Sequence, residues 1–148
     1  MGLITYADKS ALNVNSGIND ENKCNASDMN EIKNEVNTNA SYTTTEQQVG
    51  SWLGEILYRK VINFGNLPNA TFKGVNHGIS NLKQVTKLYG IWNSGVGNFF
   101  NLPYVDTDNV GHSITLYADN TKVYADTEDD YSYATAYIVI EYTKNSVG

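Results

Sequence analysis

Hydrophobic and polar positions alternate with period two over much of residues 42–148. From Ile56 to Phe64, one face collects Ile56, Tyr58, Ile62 and Phe64, interrupted only by Lys60. The other face collects Leu57, Arg59, Val61 and Asn63. Successive strand side chains point to opposite faces, so this spacing predicts a strand. Val49–Trp52 leads into it through Gly54, which makes Thr45–Pro68 the candidate first hairpin. Ser113–Ala118 alternates cleanly, with Ile114, Leu116 and Ala118 inward and Ser113, Thr115 and Tyr117 outward. Asp119 and Asn120 join it to Lys122–Ala125, a second hairpin signal.

The remaining stretches follow the same reading. Thr71–Ile79 predicts a weak strand, Asn81–Gln84 a connector or helical turn, Val85–Trp92 a strand and Asn98–Tyr104 a short one. Gly65–Asn69, Asn93–Gly97, Asp106–Asn109 and Thr127–Asp130 carry turn or loop chemistry. The last predicted strand, Ser132–Thr143, is the longest. Its centre, Ala136–Ile140, is apolar on both faces, as expected of an interior strand covered on both sides. About seven or eight short strands without βαβ alternation or an internal repeat predict a mainly β fold: an antiparallel, jelly-roll-like β-sandwich.

Residues 1–41 have another character, rich in Asn, Asp, Glu and Lys, with Tyr6 the only aromatic before Tyr42. Leu3–Tyr6 suits a short strand or docking arm, and turns follow at Ser16–Gly17 and Asn19–Asp20. From Asp28 a short helix is predicted. Asp28 and Glu31 form a capping box, and Met29, Ile32 and Val36 recur at i, i+3 and i+7. So short a helix is marginal alone in water and must lie on something. A Met29–Ile32–Val36 seam suits a parallel bundle of identical chains, and packing on the body is the alternative. Asn37–Ser41 is the best linker, so the expected division is 1–41 for attachment and oligomerisation and 42–148 for the sandwich.

Composition narrows the chemistry. The 148 residues are one-domain length, and the surface is soluble through uncharged polar groups, since only 18% are charged. Eleven tyrosines and two prolines favour strands. A net charge of −6 argues against nucleic acid or an anionic membrane as partner. The single cysteine, Cys24, excludes an internal disulfide and a cysteine zinc cage. No run approaches the ~20 apolar residues of a membrane span. The opening residues lack a basic and then apolar leader, so no signal peptide is expected. The Asn-x-Ser/Thr triplets at Asn25, Asn39 and Asn69 then carry no glycosylation message.

The run Gly50, Trp52, Gly54, Leu57–Lys60, Ile62, Phe64–Gly65 and Leu67–Asn69 resembles a C-terminal module of bacteriophage fibre and minor structural proteins. Val75–Ile79, Tyr89–Gly90, Leu116–Asn120, Ala136–Tyr137 and Glu141–Thr143 continue the likeness. Tyr6–Ala7, Lys9–Asn13 and Asp28–Lys33 are similar to the opening of phage tail or fibre proteins. The module usually has an Asp-Gly turn after its Trp. Trp52–Leu53–Gly54 is a residue shorter, which leaves the hairpin type open. The resemblance implies a trimeric β-sandwich attached to a virion by its N-terminus, in contact with tail, collar or capsid proteins. It does not imply an enzyme or a known ligand, no cofactor is expected, and the lack of a signal peptide suits a virion protein assembled in the host cytoplasm.

Candidate chemistry is sparse. Arg59 and Lys60 point to opposite faces, and Arg59 suits an ion pair with Glu46 or Glu141. His77 and His112 do not form a zinc-type pair. Asp106, Asp108 and Gly111 look like the start of a calcium loop, but Tyr117 falls where its closing carboxylate belongs. Glu128, Asp129 and Asp130 could join Asp106 or Asp126 around a cation, and a solvated acidic loop is the simpler expectation. No catalytic residue and no metal or cofactor ligand is assigned. Ligand-facing loops, if the chain binds a host glycan or receptor, are expected at Asn93, Asp106, Asp108, Glu128, Asp129 and Asp130. Trp52 and Trp92 could stack on sugar rings, though the simpler expectation buries both. Three functions follow: a virion structural subunit, a receptor- or carbohydrate-binding module, and least of all a glycan depolymerase.

Overall fold

The computed structural model describes residues 30–34, 36, 41–108 and 111–145. The expectations at Leu3–Tyr6, residues 16–20, Cys24, Met29, residues 37–40 and Asn109 lie outside these. The chain divides into two units, Met1–Ser41 and Tyr42–Gly148. In the first, residues 30–34 and 36 are helical. Ile32 and Val36 of that helix are 53% and 45% exposed.

The second unit is built from nine strands among the described residues. They are β1 (Gln47–Trp52), β2 (Glu55–Asn66), β3 (Phe72–Asn76), β4 (Leu82–Asn93), β5 (Phe99–Leu102), β6 (Tyr104–Val105), β7 (Ser113–Ala118), β8 (Lys122–Thr127) and β9 (Thr135–Lys144). One sheet has the order β1-β2-β9-β4-β5, the other β3-β8-β7-β6. Every pairing is antiparallel. The pairs β2–β9 and β3–β8 nest as in a jelly roll, while β4–β5 and β6–β7–β8 close locally.

The inner faces meet in one core. Ile62 and Phe64 from β2, Ile114 from β7, Val123 and Ala125 from β8, and Ile138, Ile140 and Tyr142 from β9 are all buried in it. Removing such apolar surface from water at roughly 25 cal/mol per Å² is what holds two sheets face to face. Two lysines fasten the β2–β3 side. Lys60 donates to the His77 carbonyl at 2.7 Å, and Lys73 donates to the Phe64 and Asn66 carbonyls at 3.1 and 2.5 Å. His77 is itself buried. Its Nδ1 accepts from the Ile79 amide at 3.0 Å, which leaves Nε2–H facing the Asp119 carbonyl at 3.3 Å.

The β1–β2 turn is a two-residue loop with Leu53 at φ 51° and Gly54 at φ 83°. Two consecutive left-handed residues make it a type I′ turn, whose twist matches the flanking strands. Trp92 is core, 4% exposed, and meets Phe100, Tyr104 and Tyr131 at ring distances of 4.4 to 5.5 Å. Trp52 is not core: it sits at the hairpin tip, 42% exposed, and no residue of β1 belongs to the core cluster.

Three local expectations are corrected. Asn81–Gln84 is no helical connector, because Leu82 and Gln84 already pair with Lys144 and Thr143 of β9. A long neighbouring strand overrides the weak local preference of these residues. Gly65 and Asn66 belong to β2 rather than to a turn, with the ladder slipping between Asn63 and Gly65. Asn98–Tyr104 is two strands: the chain changes sheet at Pro103, whose bond to Leu102 is cis.

Candidate functional site

The outward face of the five-stranded sheet carries the most unusual grouping. β9 lies at its centre between β2 and β4, so its outward residues have neighbours on both sides. Arg59 of β2 stands directly opposite Glu141 of β9. Its Nε and terminal nitrogen both donate to Glu141 Oε1, at 2.8 and 2.7 Å. Glu141 is the one buried carboxylate among the described residues. The guanidinium also lies 4.4 Å from the centre of the Tyr42 ring, a cation–π geometry. Tyr89 completes the group, its hydroxyl 3.3 Å from that of Tyr42 and 3.5 Å from Glu141. Burial first, and then the bond to Tyr42, push the Tyr89 phenol well above its ordinary value.

Beside this network runs an open groove of about 770 Å³. Val61 and Val139 line its base, and Ile91, Phe99 and Tyr137 flank it. Tyr42, Thr44, Tyr89, Gly90 and Asn101 complete the lining. None of these ten residues carries a formal charge at neutral pH. The two-sided apolar run Ala136–Ile140 pointed to β9 as fully covered. Its core side is, whereas Tyr137 on the outer side is half-exposed. Ile91 and Phe99 were not singled out by the sequence, and Tyr89 only as part of the resemblance. The signal was present in the apolar outward positions of Val85–Trp92, but nothing local says which face of a strand meets the second sheet.

The six predicted loop residues gather at one end of the sandwich. Asn93 pairs with Thr135 where β4 ends and β9 begins, and a bridge joins Asn69 to Asp130. Three of the six side chains shape their own loops. Asn93 accepts from the Gly95 amide at 2.9 Å, Asp106 from Asp108 at 3.0 Å and Asp130 from Ser132 at 2.9 Å. Glu128 accepts the Ser113 hydroxyl at 2.9 Å, and Asp129 lies 3.6 Å from His112. Asp108 reaches this group electrostatically, since it, Asp106 and Tyr133 all raise the neighbouring Tyr104 phenol, after burial. Among the described residues, no three His, Cys, Asp or Glu side chains converge as a metal site would require. Tyr133 stands half-exposed beside these loops. Of the predicted seam, Ile32 and Val36 are on the described helix, and Met29 lies outside the described residues.

A second hollow, of about 620 Å³, lies at the opposite end and is lined by Tyr58, Asn81, Lys83 and Lys144 among others. Its charges are paired: Lys83 with Glu55, and Lys144 with Glu46. Glu46 also accepts the hydroxyl of the fully buried Tyr142. Compared with known proteins, the chain matches no family model, no curated protein and no solved structure.

Proposed function

We propose that this chain is a bacteriophage virion structural protein, a small tail-fibre, head-fibre or decoration subunit. Residues 1–41 anchor it to other virion proteins and residues 42–148 are displayed. The observation that carries the reading is the role of the run on which the resemblance rests. Gly50 to Asn69 forms the β1–β2 hairpin and the start of its exit loop, the piece that sets up the five-stranded sheet. A non-catalytic role is supported by the state of Glu141, whose charge is already held by Arg59. The test is mass spectrometry and antibody labelling of purified virions from the phage that encodes the chain. Labelled particles support the reading, and virions that lack the chain sink it.

A second reading, a receptor- or glycan-binding module, is favoured by one feature. The exposed Tyr133 ring stands at the loop end that also holds Asn93, Asp106, Asp108 and Asp129. Rings beside carboxylates and amides are how proteins hold sugars. Binding on a glycan array that Tyr133→Ala abolishes would establish it, and an array without signal would remove it. Depolymerase activity stands last, and turnover of host polysaccharide lost on a single carboxylate substitution would revive it.

A further inference from the structure

We propose that a second copy of this chain covers the outer face of the five-stranded sheet, seated on the groove between Val61, Val139, Ile91, Phe99 and Tyr137. The inference goes beyond the virion reading and does not rest on it.

Area is the first argument. Tyr42, Ile91, Phe99 and Tyr137 are each more than half exposed on one face. Side chains of this size together present on the order of 400 Å² of mostly apolar surface, in the range of patches that are often functional. A stable interface needs roughly 800 Å² from each partner. Two such faces meeting supply the dry centre, about half of that area, with Thr44 and Asn101 among the polar lining.

Charge decides between occupants. Each copy carries −6, so two copies repel on the whole. The groove lining has no ionised residue, and the Arg59–Glu141 pair at its border cancels itself. Like copies meet over this lining at little electrostatic cost, and a charged partner would find nothing in the lining to pair with. A glycan would find one amide, Asn101, and one aliphatic hydroxyl, Thr44, beside the phenols. That is thin for a ligand covered in hydroxyls.

The neighbouring edge points the same way. β5 is an edge strand of sequence Phe-Phe-Asn-Leu, with no charge and no bulge. The other edge of this sheet, β1, is interrupted by a bulge between Gln48 and Gly50. The stretch of β4 that β5 leaves uncovered has two register shifts and carries Lys83 and Lys87. Bulges and lysines are how proteins keep edges from pairing. Within the five-stranded sheet those two devices are missing only along β5, beside the groove, where a self-complementary contact would protect the edge.

The experiment is light scattering and sedimentation of the full chain up to its highest soluble concentration. Wild type should exceed monomer mass. Phe99→Glu and Ile91→Glu should each raise the dissociation constant about tenfold or more, as expected for central interface side chains. Tyr117→Glu, on the outer face of the other sheet, should leave it unchanged. Far-UV circular dichroism verifies folding. Should Ile91→Glu fail to fold, Phe99→Glu decides, because Phe99 is 68% exposed on an edge strand. A monomeric wild type overturns the proposal. So does an oligomer that survives the groove variants, or one that dissociates only with Ile32→Glu on the N-terminal helix.

Discussion

Arg59 and Glu141 face each other across the β2–β9 ladder, 82 positions apart in sequence, and both guanidinium contacts fall on one carboxylate oxygen. With both side chains largely buried, removing one partner leaves a desolvated charge. Glu141→Leu is expected to cost about 3–5 kcal/mol, and Arg59→Met with Glu141→Leu to recover most of it. Urea unfolding of the two variants checks this. A double variant as unstable as the single one would show that something other than the pair is lost.

Leu53 holds a left-handed conformation at φ 51° while 91% exposed, so it gains little from burial and bears the cost of its Cβ. Left-handed backbone costs an ordinary residue about 1–2 kcal/mol, and Asn tolerates it better. Leu53→Asn should raise stability by about 0.5–1 kcal/mol, read as an upward shift of the urea midpoint. Gly54→Val, at φ 83°, should lower it. An unchanged midpoint in both would mean that the turn does not hold the hairpin.

Alkaline unfolding follows from the tyrosines. Burial, and then the neighbouring Tyr104, Tyr133, Asp129 and Asp106, push the Tyr131 phenol up to about 12. Burial and the bond to Glu46 raise Tyr142 further, and Tyr89 is raised likewise. These folded values lie above the ordinary 10.0, so the unfolded chain releases its protons first. Their stabilisation is complete below pH about 10 and is lost as pH rises toward 12 and beyond. Absorbance at about 295 nm should show exposed tyrosines ionising ahead of a cooperative step that coincides with loss of β signal. Eleven tyrosines ionising together with the fold intact would contradict the burial described here.

Acid acts through the β7–β8 turn. Asp119 accepts the Thr121 and Lys122 amides at 2.7 and 2.8 Å, the Thr121 hydroxyl at 2.9 Å and the Tyr124 hydroxyl at 2.8 Å. The Thr121 amide first, then Tyr124 and the others, hold its carboxyl well below the usual 3.8. Glu46 is also lowered: burial opposes ionisation, but the bonds from Lys144 and Tyr142 outweigh it. Folded values below unfolded ones mean that stabilisation is present above pH about 4 and lost as pH falls through the folded values. Stability measured from pH about 5 to 2 should decline less steeply for Asp119→Asn than for wild type. Parallel curves would show that Asp119 is not the titrating group.

Much of the architecture was legible. Ile114, Leu116 and Ala118 do face the core and Thr115 and Tyr117 do face outward, because period-two burial is a local property of a strand. Arg59 found one of its two expected carboxylates. The candidate site was less legible. The predicted loop residues share one end of the sandwich, yet three of the six side chains shape their own turns. The groove was missed because Val61, Ile91, Phe99 and Tyr137 come from four strands spread over 77 positions.

The sequence by itself determined where the chain is extended, where Gly54 and Asp119 turn it, and that alternate side chains of each strand part company. Those outcomes depend on dihedral preference and side-chain spacing, which neighbours in the chain impose. Only the tertiary structure decided that β9 lies between β2 and β4, that Pro103 carries the chain from one sheet to the other, and that the outer face of β9 is covered at Glu141 but open at Tyr137. A strand pattern shows that two faces exist. What covers each is set by partners far away in sequence, whose backbone hydrogen bonds and packing carry no local mark.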